Sequence, residues 1–163
     1  MDISYITRIS GKRVILASGS PRRKEILERL GLKFEVIAST FPENLDKTSF
    51  QTAAAYASEN ALQKAIEVYA RLHDPDAFII SADTVVVLDN KILEKPSSEL
   101  DARKTLHSLS NRSHTVVTAV SLAYSDRTTG KTAFETFTET TEVEFAELDD
   151  ELITAYLKTG EPL

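Results

Sequence analysis

Between an apolar run and a helical pattern, residues 15–31 read ILASGSPRRKEILERLG, and the middle of that stretch holds residues able to do chemistry. Backbone N–H groups at a helix start point outward unpaired, and the helix dipole adds partial positive charge there. Gly19 lets an anion come close, the hydroxyls of Ser18 and Ser20 donate, and the forks of Arg22 and Arg23 match phosphate oxygens. The stretch reads as a phosphate cradle. It reads also as a plain helix start, capped by Ser20-Pro21, with Arg22, Arg23 and Lys24 on a solvated face. It is not a P-loop, because the G-x-x-x-x-G-K-[ST] spacing is absent.

A second candidate is Asp83 in ISADTVVV, directly behind an apolar run. At the carboxyl end of a strand, where open α/β sheets place ligand crevices, it would bind Mg²⁺ or act as a general base. As a turn residue it would only bond its own backbone. In LEKPSSE, Pro96 fixes the backbone behind Lys95, which aims the ammonium into a cleft or leaves it in water. Glu43 in FPENLDK and Lys64 in ENALQKA read by themselves as a solvated loop carboxylate and a helix-surface lysine. His114 opens a predicted strand with no nucleophile nearby and reads as structural. No G-x-S-x-G elbow supports a Ser-His-Asp triad.

Strands, helices and loops must place these groups. Residues 14–17 predict a short buried strand, and residues 21–30 a helix with Ser20 at its N-cap, Gly31 at its C-cap and Ile26, Leu27 and Leu30 facing the core. A second strand is expected over 34–38 and a long alanine-rich helix over 51–72. Strands at 78–80 and 85–88, a turn at Asp89-Asn90, a short strand before Lys95 and a helix over 98–109 follow. Threonine, valine and phenylalanine dominate 115–124 and 133–145, the pattern of a long antiparallel hairpin with a polar tip over 125–132. Asp149 caps a last helix that ends near Gly160. The fold class is mixed α/β.

Composition narrows the partners. At 163 residues, with 42% hydrophobic and 27% charged residues, the chain builds a core of its own as a single domain. Nineteen basic against 25 acidic residues give a net charge of −6, which argues against nucleic acid as a partner and for a small ligand. No apolar window approaches a membrane span, and no signal-peptide pattern opens the chain, so a cytoplasmic setting without membrane attachment is expected. With no cysteine, thiolate nucleophiles and disulfides are excluded.

Taken in order, LASGSPRRKEILERLG, ENALQKA, SADTVVVLDNKILEKP, LSNRSHTVVTAV, TEVEF and YLKTGEP resemble the Maf family of nucleotide pyrophosphatases across nearly the whole chain. The resemblance implies an α/β fold of two lobes, a mixed sheet with flanking helices similar to that of inosine triphosphate pyrophosphatases. It implies hydrolysis of a nucleoside triphosphate to monophosphate and pyrophosphate with a divalent metal, Mg²⁺ or Mn²⁺. S-P-R-R with A-D-T and E-K-P resembles the branch acting on dTTP, UTP and modified pyrimidine triphosphates. The branch preferring methylated GTP carries tryptophan where Arg22 stands. Carried over by position, Ser18, Ser20, Arg22 and Arg23 hold the triphosphate and help place the base, and Lys64 and Lys95 neutralise phosphate charge. Glu43 sits by the metal or the attacking water, Asp83 is metal ligand or general base, and Thr84 helps recognise the base.

Family members continue past GEP into a segment that supplies further site residues, so residues 1–163 are expected to be a Maf-like domain lacking its C-terminal part. Sheet edges left open would favour a homodimer. A nucleotide-binding regulatory module without turnover is the competing reading.

Overall fold

The computed structural model describes residues 11–159. Gly160, expected near the end of the last helix, and the GEP motif lie outside the described residues. Among those described, six strands and four α-helices follow one another in a mixed α/β order. Strand order in the sheet is β2-β1-β3-β5-β6, with β4 paired to β3. This is the mixed sheet with flanking helices expected from the sequence, and it is consistent with an inosine triphosphate pyrophosphatase-like fold. Two compact units divide the chain, one made of residues up to Asp83 with Thr118–Thr138, the other of Thr84–Val117 with Glu139 onward.

In the first unit, β1 (Arg13–Leu16) leads through α1 (Pro21–Arg29) to β2 (Glu35–Val36), and α2 (Ala53–Leu72) leads on to β3 (Ala77–Leu88). Helical crossovers force parallel pairing. Accordingly β1 runs parallel to β2, with Ile15 opposite Glu35, and to β3, with Ile15 opposite Ile79. Ile15, Ile79, Ala65, Val68 and Ala123 close the core. Ala57, Ala61 and Ala65 are fully buried on one face of α2, and their small side chains let the helix lie close on the sheet. The long strands β5 (Ser113–Ser125) and β6 (Thr132–Glu144) form the expected antiparallel hairpin. Its tip is closed by Asp126 N–H donating to the Lys131 carbonyl at 2.8 Å, with Gly130 at φ 69°.

In the second unit, β4 (Lys91–Leu93) folds back on the end of β3 through Asp89 and Asn90, at φ 51° and 63°. Two consecutive positive φ values are the geometry of the tightest hairpin turn, which asparagine and aspartate tolerate best. Helix α3 (Glu99–Leu109) starts at Ser98 and α4 (Asp150–Lys158) at Asp149, each cap side chain accepting from a first-turn N–H. Ala102, Leu106, Ile153 and Leu157 pack these two helices together.

Two expectations need correcting. The strands at 78–80 and 85–88 are one continuous strand, so Asp83 lies within β3 and not behind a strand end. Aspartate is unfavourable in a strand interior, and here tertiary partners on α2 override that preference. Helix α1 buries none of its residues among those described, and Ile26, expected in the core, is 52% exposed. Periodicity defines an apolar face but not whether anything covers it.

Candidate active site

Side chains alternate along a strand, so Ile79, Ser81 and Asp83 share one face of β3. That face meets α2 and changes from apolar to polar along its length. Ile79 packs with Ala65 and Val68. Buried Ser81 donates from Oγ to the Ala61 carbonyl at 2.5 Å. Asp83, 4% exposed, then meets two side chains one helical turn apart on α2. Asn60 Nδ2 donates to Asp83 Oδ2 at 3.2 Å, and Lys64 Nζ stands 3.5 Å from Oδ1. A buried carboxylate survives only when it is paired and hydrogen-bonded, and both conditions hold here.

Lys64 gathers more than Asp83. Its ammonium pairs with Glu43 and donates to the Ala82 carbonyl at 3.4 Å. Glu43 comes from the loop between β2 and α2, and its side chain is 37% exposed. That loop is anchored to α2 by Glu67, whose Oε1 accepts from Thr40 N–H at 2.5 Å and Thr40 Oγ1 at 2.8 Å. Arg71, one turn along, donates to Glu67 at 2.9 Å, and chiefly through this bond the Glu67 carboxyl is held down at about 2.

The loop before α1 reaches the same carbonyl. Arg23 Nη1 donates to the Ala82 carbonyl at 3.1 Å and to Ser18 Oγ at 3.1 Å. Ser18 Oγ also accepts from the Ser20 N–H at 3.2 Å, and Ser20 Oγ caps the helix by accepting from Arg23 N–H. Burial pulls the Arg23 guanidinium below its ordinary value, while the negative charges of Asp83 and Glu43 act in the opposite direction. Arg22, next in line, is exposed at the start of α1.

The structure therefore brings Ser18, Ser20, Arg23, Glu43, Lys64 and Asp83 together in the first unit, with Arg22 at the helix start. Thr84 and Lys95 belong to the second unit. There both line a cavity of about 280 Å³ whose walls include Val86, Leu93, His114 and Phe145. Asn60 was not among the candidates. The signal for it was present in ENALQKA, since a spacing of four puts Asn60 and Lys64 on one helix face.

No group of three or more His, Cys, Asp or Glu side chains among the described residues is placed to hold a metal. What is present is a pair of carboxylates, Glu43 and Asp83, converging from two elements on one ammonium. One or two carboxylates together with phosphate oxygens and water is the usual way Mg²⁺ is held. The donor set fits a cation that is shared with a bound phosphate, rather than one caged by protein alone.

A family description, Maf-like protein, matches residues 13–163. A human protein named a probable bifunctional dTTP/UTP pyrophosphatase/methyltransferase is 45% identical over 164 residues, 97% of this chain and 26% of its own length. A nucleoside triphosphate pyrophosphatase of Dictyostelium discoideum is 41% identical, matching all of this chain and 77% of its own. A dTTP/UTP pyrophosphatase of Halalkalibacterium halodurans is 46% identical over 93% of this chain and 74% of its own. The chain thus spans about a quarter of the human relative and about three quarters of the other two. Matches of this extent, running through the SGSPRR loop, α2 and β3 alike, make the chain a member of the Maf family.

Proposed function

We propose that this chain hydrolyses nucleoside triphosphates of the dTTP and UTP class, modified pyrimidine nucleotides included, to the monophosphate and pyrophosphate. The observation that carries the reading is the buried Asp83 between Lys64 and the Arg23-clamped loop at a helix N-terminus. The names of the relatives support the substrate class.

A triphosphate repels an incoming nucleophile, so most of the catalysis lies in positioning and in offsetting charge. Ser18, Ser20, Arg22, Arg23 and the first N–H groups of α1 bind the phosphate oxygens. Lys64 offsets their charge. Asp83 orients a water molecule and takes its proton at a carboxylate oxygen as that water attacks the α-phosphorus, and pyrophosphate leaves. Glu43 and Asp83 would hold the divalent ion, which when bound supplies Lewis-acid stabilisation of the phosphoryl oxygens. For Lys95 on the phosphates and Thr84 on the base, the reading rests on the resemblance alone. Among the described residues no helix is long and apolar enough to cross a membrane. The expected setting is the cytoplasm, where the triphosphates are.

The test is pyrophosphate release from dTTP, UTP, CTP, dATP and methylated GTP with Mg²⁺ or Mn²⁺, against EDTA and Asp83→Asn controls. Release from dTTP and UTP that chelation and the substitution both abolish is expected. A folded chain that binds these nucleotides and releases nothing would be the regulatory module instead.

A further inference from the structure

Asn60 is almost completely buried beside Asp83, at 1% exposure, and only one end of its amide is used among the described residues. Nδ2 donates to Asp83 Oδ2, while Oδ1 has no hydrogen-bond partner among the described residues. An unsatisfied buried acceptor costs about 1–3 kcal/mol, so a purely structural position favours an apolar side chain or a fully bonded one. Ala57, Ala61 and Ala65 on the same face of α2 show how that helix is packed where packing alone decides.

What the donor end does is specific. Lys64 stands on one oxygen of Asp83 and Asn60 on the other, so the carboxylate is held from both sides by two residues four apart. Lys64 is shared among Asp83, Glu43 and the Ala82 carbonyl, whereas among the described residues the Asn60 side chain bonds to Asp83 alone. A flexible, shared ammonium supplies charge, and a short fixed amide supplies direction.

We propose that Asn60 is a positioning residue for Asp83: it fixes the rotation of the carboxylate so that one oxygen faces the reacting water. It touches neither substrate nor water itself. The inference rests on the hydrolytic role of Asp83 given above.

Asn60→Leu keeps the approximate size and branching of the side chain and removes the donor without adding a charge, and Asn60→Ala removes the whole amide. Both should lower kcat for dTTP by about 10- to 100-fold. KM should stay within about threefold, because phosphate binding is left to other residues. The exchange variant Asn60→Asp/Asp83→Asn restores an amide–carboxylate bond across the same gap. It should recover thermal stability relative to Asn60→Asp while remaining without turnover. If Asn60→Ala does not fold, Asn60→Leu carries the test. Wild-type turnover that is lost in Asp83→Asn but kept within about twofold by the folded Asn60 variants overturns the positioning role and leaves the function standing. Turnover that survives Asp83→Asn, or a wild-type chain without turnover, overturns both.

Discussion

Lys64 and Asp83 form a buried ion pair, Nζ to Oδ1 at 3.5 Å, with side chains 9% and 6% exposed. Taking one partner away from such a pair leaves the other charged, buried and uncompensated, at a cost of about 3–5 kcal/mol. Each partner keeps a second opposite charge, Glu43 beside Lys64 and the Arg23 guanidinium acting on Asp83. Lys64→Met and Asp83→Asn should therefore each destabilise the fold by less than that, about 2 kcal/mol. Urea unfolding of both single variants and the double variant measures this. Lys64→Met should cost much less in the Asp83→Asn background, and strict additivity would mean the pair is not coupled.

Arg23 and Ser18 allow the loop to be separated from the chemistry. One guanidinium nitrogen spans Ser18 Oγ and the Ala82 carbonyl, tying the SGS loop to the strand one residue before Asp83. Hydrogen bonds from a charged donor contribute about 1.5–3 kcal/mol, so Arg23→Met should lower kcat/KM by about 10- to 100-fold. Arg23→Lys should fall between that and wild type, since an ammonium lacks the fork. Ser18→Ala leaves the bond to Ala82 and should cost least. It should also speed hydrogen exchange at the Ser20 amide, which loses its acceptor. A Ser18→Ala variant as impaired as Arg23→Met would show that the serine hydroxyl, not the tie to Ala82, is what matters.

Local signals in the chain announce most of the elements. Ser20-Pro21 marks the start of α1 and Asp89-Asn90 the turn into β4, because capping and positive φ are properties of one or two residues. The alanines of 53–65 announce a helix that packs closely. Other features depend on partners distant in sequence. Asp83 lies inside a strand that its own preference opposes, and the reason is on α2, 23 residues earlier. Glu43 and Lys64 read separately as solvated residues, yet the loop anchored at Glu67 brings them into contact. Ile26 shows the converse, a periodic apolar position that finds no cover.

His114 ties pH to stability in the second unit. It is 6% exposed, its ring meets Phe145 edge-on with centroids 4.7 Å apart, and Nδ1 has no hydrogen-bond partner among the described residues. Glu94, Lys95 and Tyr156 line the same cavity. Burial lowers the proton affinity of the imidazole. Its folded value therefore lies below the unfolded one of about 6.5. Between the two, the unfolded chain binds a proton that the folded chain refuses. Stability from this histidine is then complete above about pH 6.5 and is lost as pH falls through the folded value. The carboxylates held low by hydrogen bonds, such as Glu67, contribute only in a more acidic range. Urea unfolding between pH 8 and pH 5 should show wild-type stability falling below about pH 6.5 and a shallower fall for His114→Gln. Equal slopes for the two proteins would mean that His114 takes up its proton in the folded state as readily as in the unfolded one.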